Sequence, residues 1–352
     1  MEKLERKQYS RQLILSEFGE PKQQLLKQAK VLVVGAGGLG CPVLMYLAGA
    51  GVGLIGIMDA DTVDVTNLHR QVLYTHEDIG QPKAQQAAKR LKAANPFIDF
   101  EVHTKALTNQ NALEIIEKYD VVVDGTDNFQ TRYLINDACV MLDKPFVYGA
   151  ISKFEGQVSV FNYKDGPTYR CLFPEPPLPG TVASCAEAGV IGVLPGLIGT
   201  YQAMEVIKMV SGLGDVRAGS LFIINTLQNS QYTLKVKLNP ENKHITALSD
   251  YDLFCGIATV KEISSEQLKS KLANDDITLL DVREPHETEA FNIGGLLIPL
   301  GALQESLAQV PKDKAVVTLC QSGMRSLQAA QVLIDHGYDT VYSLKGGLNA
   351  WD

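Results

Sequence analysis

Basic residues are in deficit in this 352-residue chain, with 32 Lys and Arg against 40 Asp and Glu and a net charge of −8. A protein that grips phosphate backbones carries the opposite balance, so nucleic acid is not an expected partner. Cysteine is scarce too. The six residues at 41, 139, 171, 185, 255 and 320 are too few and too scattered for a disulfide scaffold. Long apolar runs are missing: the longest uncharged one, residues 188–204, has 17 residues, four glycines and Pro195. A membrane span needs about 18 or more apolar residues, so no membrane association is expected. The opening MEKLERK holds no apolar signal-peptide core, and no internal repeat or low-complexity tract is visible. These absences describe a soluble, cytoplasmic, reduced protein. What is present is ordinary, with 45% hydrophobic and 20% charged residues. At roughly 150 residues per domain the length suggests about two domains. Such a chain buries enough core to fold without disulfides or metal.

The first half alternates β-rich apolar runs with helical patterns, the mark of a mostly parallel α/β sheet. Strands are expected at Val31–Val34, Leu54–Met58, Phe100–Val102, Val121–Val123 and Phe146–Tyr148. Helices are expected at Leu39–Ala50, Lys83–Ala94 and Arg132–Leu142. After Gly156 the strands Gln157–Tyr163, Ser220–Leu227 and Gln231–Leu238 suggest an antiparallel continuation, broken by a helix near Gly196–Val210. Between Arg170 and Gly192 runs a Pro/Gly-rich segment of a length usually reserved for function. The polar stretch 241–260 reads as a linker between a domain at 1–240 and another at 261–352. Residues 261–352 begin a second alternating pattern, with strands at Thr278–Asp281, Leu296–Ile298, Ala315–Leu319 and Thr340–Ser343 and a helix from Arg325 to His336. Net charge is −5 there and −3 over the rest, so neither half is basic.

VLVVGAGGLG, residues 31–40, is a strand, a glycine-rich turn and a helix start. Gly35 allows the tight turn, Gly37 lets backbone N–H groups approach a phosphate, and Gly40 permits close helix–sheet packing. Asp59 follows 24 residues after Gly35, where a ribose hydroxyl would be read. Taken alone, the turn suits a dinucleotide dehydrogenase. The next residues do not suit hydride transfer. Asp61–Gln71 (DTVDVTNLHRQ), Gly80–Lys83 (GQPK) and Asp124–Asn128 (DGTDN) bring Asn67, Arg70, Lys83 and Asp127 to strand ends, where open α/β sheets bind ligands. Arg70 and Lys83 can neutralise polyphosphate, and Asp127 can hold Mg²⁺.

RKQYSRQLIL, GAGGLG, DADTVDVTNLHRQ, GQPK, DGTDNFQTRYLIN and GAISKFEGQVSVF together resemble the MoeB/ThiF family of ubiquitin-activating-enzyme-like adenylyltransferases, over about residues 5–260. The resemblance implies a Rossmann-like ATP-binding domain that uses MgATP to adenylate the C-terminal Gly-Gly carboxylate of a small ubiquitin-like sulfur carrier. It also implies that Gly38, Asp59, Asn67, Arg70, Lys83 and Asp127 contact ATP or its magnesium, Asp59 through the ribose. Arg11 would reach the triphosphate of a partner subunit, which implies a homodimer. Many members hold zinc with two C-x-x-C pairs. Here the first pair reads Thr168-Tyr-Arg-Cys171, and the second falls in Asn239–His244, which lacks cysteine. No structural zinc is expected, because zinc wants four ligands. Cys185 occupies the family's reactive-cysteine position, for attack on the activated carrier or resolution of a disulfide. Cys41 and Cys139 lie on helix faces and read as core.

In the C-terminal part, Val316–Leu327 (VVTLCQSGMRSL) runs from strand through loop to helix. A cysteine at such a loop start faces successive backbone N–H groups and a helix N-terminus, a nest that stabilises an anion and depresses a thiol pKa. Cysteine phosphatases place arginine six positions after the cysteine; here Arg325 follows Cys320 by five. The smaller loop resembles the rhodanese family instead, as do LDVREP (280–285), IPL (298–300) and LKGGLNAW (344–351). That resemblance implies a small α/β domain with a persulfide on Cys320, cradled by the amides of Gln321, Ser322, Gly323, Met324, Arg325 and Ser326. Asp281 and Arg283 read as a structural pair beside the loop.

The fusion implies adenylation, attack by the Cys320 persulfide on the acyl-adenylate, and release of a carrier thiocarboxylate. A cysteine desulfurase or another sulfur donor would load Cys320. An adenylyltransferase with a regulatory or vestigial rhodanese domain, and a non-catalytic carrier-binding module, stand as alternatives. Molybdopterin, thiamine, cysteine and tRNA sulfur are all compatible destinations.

Overall fold

A computed structural model describes residues 1–177, 189–249, 251, 255, 260–274, 276–289 and 291–351. The chain forms two compact units, the first reaching to Tyr251.

Short valine- and isoleucine-rich runs bury both faces only inside a parallel sheet. In the first unit β1 (Lys30–Val34), β2 (Leu54–Met58) and β4 (Val121–Asp124) are such runs, buried along almost their whole length. With β3 (Asp99–His103) and β5 (Phe146–Ser152) they pair in parallel in the order β3-β2-β1-β4-β5. β6 (Glu155–Phe161), β7 (Ser220–Asn225) and β8 (Ser230–Lys235) extend the sheet antiparallel to eight strands. The chain runs outward from β1 to β3, then returns to β4 on the other side of β1. The crevice beyond the carboxyl ends of β1 and β4 is therefore a topological switch point, where such sheets bind ligands.

Helices α1 (Lys3–Gln8), α2 (Ser10–Leu13) and α3 (Gly19–Gln28) precede the sheet. They are absent from the sequence reading because their apolar pattern is sparse; α3 buries only Gln23 and Leu26. α4 (Gly40–Ala50) follows β1, α5 (Lys83–Ala94) precedes β3, α6 (Ala112–Ile116) precedes β4, and α7 (Phe129–Met141) follows β4. α7 begins three residues before its expected start because the Asn128 side chain caps it, accepting from the Thr131 N–H at 2.9 Å. α8 (Val193–Ser211) packs on α4, with Gly199 so close that an added Cβ would lie 2.4 Å from the Leu39 carbonyl oxygen. Gly156 lies inside β6 rather than ahead of it, and the helix packs so closely there that an added Cβ would stand 2.3 Å from Cδ1 of Ile198.

The second unit is a five-stranded, all-parallel sheet in the order β11-β10-β12-β13-β9. Its strands are β9 (Lys261–Ile263), β10 (Ile277–Asp281), β11 (Leu296–Leu297), β12 (Ala315–Leu319) and β13 (Val341–Leu344). Helices α9 (Ser265–Ala273), α10 (Pro285–Thr288) and α11 (Met324–Asp335) accompany them. One apolar cluster gathers Leu280, Val316, Ala330 and Leu333, and another gathers Ile263, Leu268, Val317 and Leu344. Among the described residues no helix is long and apolar enough to cross a membrane.

Candidate functional sites

The glycine turn leaves β1 at Gly35, which adopts φ +91°. An added Cβ there would stand 2.6 Å from the Gly125 carbonyl oxygen, and one on Gly40 would stand 1.9 Å from the Gly35 carbonyl oxygen. Both glycines are thus required by close backbone approach, which brings the ends of β1 and β4 together and seats α4 on the turn. Asp59 closes β2 alongside. Its carboxylate accepts from the Ala36 N–H at 2.7 Å and the Asp61 N–H at 2.8 Å. Burial pushes its pKa up from the ordinary carboxylate value, against the pull of those amides and of Lys83.

The residues after β2 fold back on the turn. An added Cβ on Gly38 would lie 3.7 Å from Cγ of Arg70, and one on Gly37 would lie 3.5 Å from Nε2 of Gln71. Arg70 is held by donation to the Thr66 carbonyl at 3.0 Å, and the Asn67 amide donates to Thr66 Oγ1 at 3.4 Å. Lys83 is buried at the start of α5 and donates to Asp61 at 3.0 Å. Tyr74 ties this segment to the turn, its hydroxyl lying 2.8 Å from the Ala36 carbonyl and 3.3 Å from that of Lys83. Gly38, Asp59, Arg70 and Lys83 therefore gather about one turn, and Asn67 lies on the segment that carries Arg70. Asp127 is exposed three residues beyond the end of β4.

Two carboxylates that look alike in DGTD differ here. Asp124 is wholly buried and accepts from the Thr126 N–H and hydroxyl at 2.9 and 2.6 Å and from Arg132 at 3.1 Å. Arg132 also stacks on Tyr148, 5.0 Å from the ring centre. Asp124 is committed to the fold, which leaves Asp127 as the accessible acid. The pair leaves only a faint trace in the sequence, the eight-residue spacing from a strand end into the next helix. Gln71 carries no signal in the sequence either, yet its Oε1 is buried without a hydrogen-bond partner. An orphaned acceptor beside a glycine turn fits a site that takes up a ligand carrying donors.

Arg11 lies elsewhere in the chain. It projects from α2, whose neighbour Gln12 donates to the Ala50 carbonyl at 2.9 Å. That is the far end of α4, about 16 Å along an eleven-residue helix from the glycine turn. Cys185 falls outside the described residues. Cys41 and Cys139 are fully buried, and burial pushes Cys41 up to about 12 and Cys139 higher still. Neither thiol suits chemistry.

In the second unit Cys320 directly follows β12 and is wholly buried. Its Sγ accepts from the N–H groups of Gly323 at 3.2 Å and Ser326 at 3.4 Å. The loop is braced from behind by the Gly346–Gly347 turn. Leu348 N–H donates to the Cys320 carbonyl and Asn349 N–H to that of Gln321, both at 2.9 Å. Gly347, at φ +60°, approaches so closely that a Cβ would lie 2.4 Å from the Cys320 carbonyl oxygen. Ser326 adds a knot, with Oγ 2.8 Å from both the Gly323 carbonyl and Ser343 Oγ. Gln321 is exposed and gives its amide to Asn349 at 2.7 Å; Ser322 is exposed at the loop tip, and Met324 opens α11.

Asp281 and Arg283 are paired at 2.6 Å, and Arg283 reaches the Phe291 carbonyl at 2.8 Å and Gln321 at 3.5 Å. Arg325 forms a two-pronged pair with Glu287 at 2.7 and 2.6 Å. Hydrogen bonding to Arg325 holds the Glu287 carboxyl down to about 2, while Arg325 is raised in turn. No sequence motif marks Glu287. Only its place four residues after Arg283, on the short helix α10, hinted at it.

Comparison with known proteins assigns each part of the chain to a family. Residues 9–246 match the model of the ThiF family, and residues 264–352 match that of the rhodanese-like domain. A Mycobacterium tuberculosis protein, "Probable adenylyltransferase/sulfurtransferase MoeZ", is 42% identical across 97% of this chain and 92% of its own length. The Thermus thermophilus "Sulfur carrier protein adenylyltransferase" is 52% identical across 71% of this chain and 96% of its own. "Adenylyltransferase and sulfurtransferase MOCS3" of Culex quinquefasciatus is 41% identical across 97% and 86%. Among solved structures, Escherichia coli MccB with ATP superposes with a TM-score of 0.57 over 66% of this chain and 72% of that one. At 22% identity that likeness carries the fold alone. The dehydrogenase reading of the glycine turn falls away.

Proposed function

The chain belongs to the ThiF family and ends in a rhodanese-like domain, and from that membership we propose a reaction in two stages, each served by one unit. The protein is an adenylyltransferase and sulfurtransferase. Its substrate in this reading is the C-terminal Gly-Gly carboxylate of a small ubiquitin-like sulfur carrier. One observation carries the reading: a polyphosphate-suited glycine turn and a cysteine nest stand at strand ends of the same chain.

In the first stage a carboxylate oxygen of the carrier attacks the α-phosphorus of ATP. Pyrophosphate leaves with the electrons of the broken P–O bond. The carboxylate is already ionised at neutral pH, so no general base is required. The difficulty is bringing two anions together, which calls for positioning and fixed positive charge. Arg70 and Lys83 would supply that charge, and Lys83 would exchange the exposed Asp61 for phosphate. Arg11 lies away from its own chain's turn and would act on the ATP of a second copy in a homodimer. Asp59 would accept the ribose hydroxyls, and Gly38 and Asn67 would line the nucleotide. Asp127 would hold Mg²⁺, whose contribution is to neutralise phosphate charge.

In the second stage the terminal sulfur of a persulfide on Cys320 attacks the acyl-adenylate carbonyl. A C–S bond forms, the C–O bond to AMP breaks, and an acyl disulfide results. A thiol, for which Cys185 is the candidate, then attacks Sγ of Cys320 and releases the carrier as its thiocarboxylate. The new disulfide requires an external dithiol reductant before the next turnover. A cysteine desulfurase or another sulfane donor would reload Cys320.

Carrier-dependent ATP–pyrophosphate exchange tests the first stage. Asp127→Ala should reduce exchange by at least about 100-fold, the scale expected for losing a metal-borne charge on the transferring group. Near wild-type exchange by that variant overturns the reading.

A further inference from the structure

Outside both sites, the thiol of Cys171 stands in a cluster of hydrogen bonds. Two tight turns meet at its sulfur, one at Tyr169–Cys171 and one at Pro240–Lys243. Sγ lies 3.4 Å from both the N–H and the hydroxyl of Thr168. From the second turn the Asn239 N–H approaches at 3.3 Å and the Asn242 side-chain amide at 3.7 Å. Burial pushes the Cys171 thiol up, but these donors more than offset it and hold it below its ordinary value. The sulfur therefore accepts from several donors, while its own S–H points to the Asn239 carbonyl at 3.8 Å.

The spacing of these groups is informative. Thr168 and Cys171 are three apart, and so are Asn239 and Asn242. Two x-x-spaced pairs brought to one point are the layout in which four thiolates enclose tetrahedral zinc. The donor set does not fit zinc: it offers one thiol, a buried hydroxyl, the Asn242 side-chain amide and, from Asn239, a backbone N–H, the Asn239 side chain being spent on the Glu241 N–H. Among the described residues no group of three or more His, Cys, Asp or Glu could hold a metal ion. We propose that Cys171 is a metal-free hub, its sulfur drawing the two turns together by hydrogen bonds at the point where two cysteine pairs would bind zinc. A bond network thus closes a stretch of about 70 chain residues that zinc would otherwise cross-link.

Three measurements on the full-length protein decide the matter. Protein expressed with added zinc and purified without chelator should retain less than about 0.1 zinc per chain, and chelator should leave Tm unchanged; a stoichiometric, chelator-sensitive zinc overturns the proposal. Cys171→Ala should lower Tm by roughly 3–8 °C, as should the milder Asn242→Ala by a smaller amount, without altering pyrophosphate exchange. If both variants melt with the wild type, Cys171 is no hub. Finally, the triple substitution Thr168→Cys, Asn239→Cys, Asn242→Cys should bind about one zinc per chain and melt in a chelator-sensitive way. A folded triple variant that takes up no zinc shows that these positions do not form a ligand tetrahedron, and sinks the idea.

Discussion

Charged side chains in this protein divide by what already satisfies them. Asp124 and Arg132 are buried against each other, so removing one partner strands the other in a dry environment. Arg132→Ala should cost about 3–5 kcal/mol in denaturant unfolding, far more than removal of an exposed arginine. Glu287 is a different case, because its partner Arg325 is half-exposed beside the Cys320 loop. Its folded pKa of about 2 lies below the ordinary 4.5. A depressed carboxyl stabilises the fold above its unfolded pKa and loses that contribution as pH falls towards the folded value. The Glu287–Arg325 pair should therefore persist at pH 4 and fail only near pH 2. Carboxyl-carbon NMR titration should show a Glu287 midpoint near 2, moving back towards 4.5 in Arg325→Ala. A midpoint near 4.5 in the unmodified protein would contradict the pair. The types of these residues were visible in the sequence, but their satisfaction was not. DGTD offers two identical acids, and only the packing of α7 decides which is consumed.

At the scale of elements, turns do most to shape both sites, and glycines set how close the elements approach. Gly347 is the sharpest instance, with a positive φ and no room for a Cβ beside the Cys320 carbonyl. Gly347→Ala must push the β13-to-terminus turn off the cysteine loop. Thiosulfate sulfurtransferase turnover should fall at least about tenfold, while pyrophosphate exchange stays within twofold of wild type. Equal turnover by variant and wild type would show that the brace is dispensable. Strands of the parallel sheet were legible because continuous β-branched runs between glycines admit little else. The N-terminal helices were not, because α1 to α3 are anchored by polar groups. Gln23 is fully buried with its amide on the Ala50 carbonyl at 2.9 Å, and Asn95 reaches Tyr9 and the Ala48 carbonyl at 2.7 Å. Hydrophobic periodicity carries no trace of such anchoring.

For the whole molecule, two separately cored units imply separable chemistry. Cys320→Ala should leave carrier-dependent pyrophosphate exchange intact and abolish carrier thiocarboxylate, read by mass spectrometry as the loss of a 16-dalton shift, the mass difference of sulfur for oxygen. Thiocarboxylate formation that survives this substitution would assign the second unit a regulatory role. The sequence by itself determined the two α/β patterns, the glycine turn, the acid after β2 and the cysteine before α11. All of these are written in short-range spacing, where strand period and turn chemistry leave few choices. Tertiary structure alone decided which acid is free, that Arg11 stands at the far end of α4, that Glu287 holds Arg325, and that Thr168, Cys171, Asn239 and Asn242 meet. Each of these depends on chain segments distant in sequence arriving at one point, and that arrival is set by the packing of the sheets and not by any local pattern.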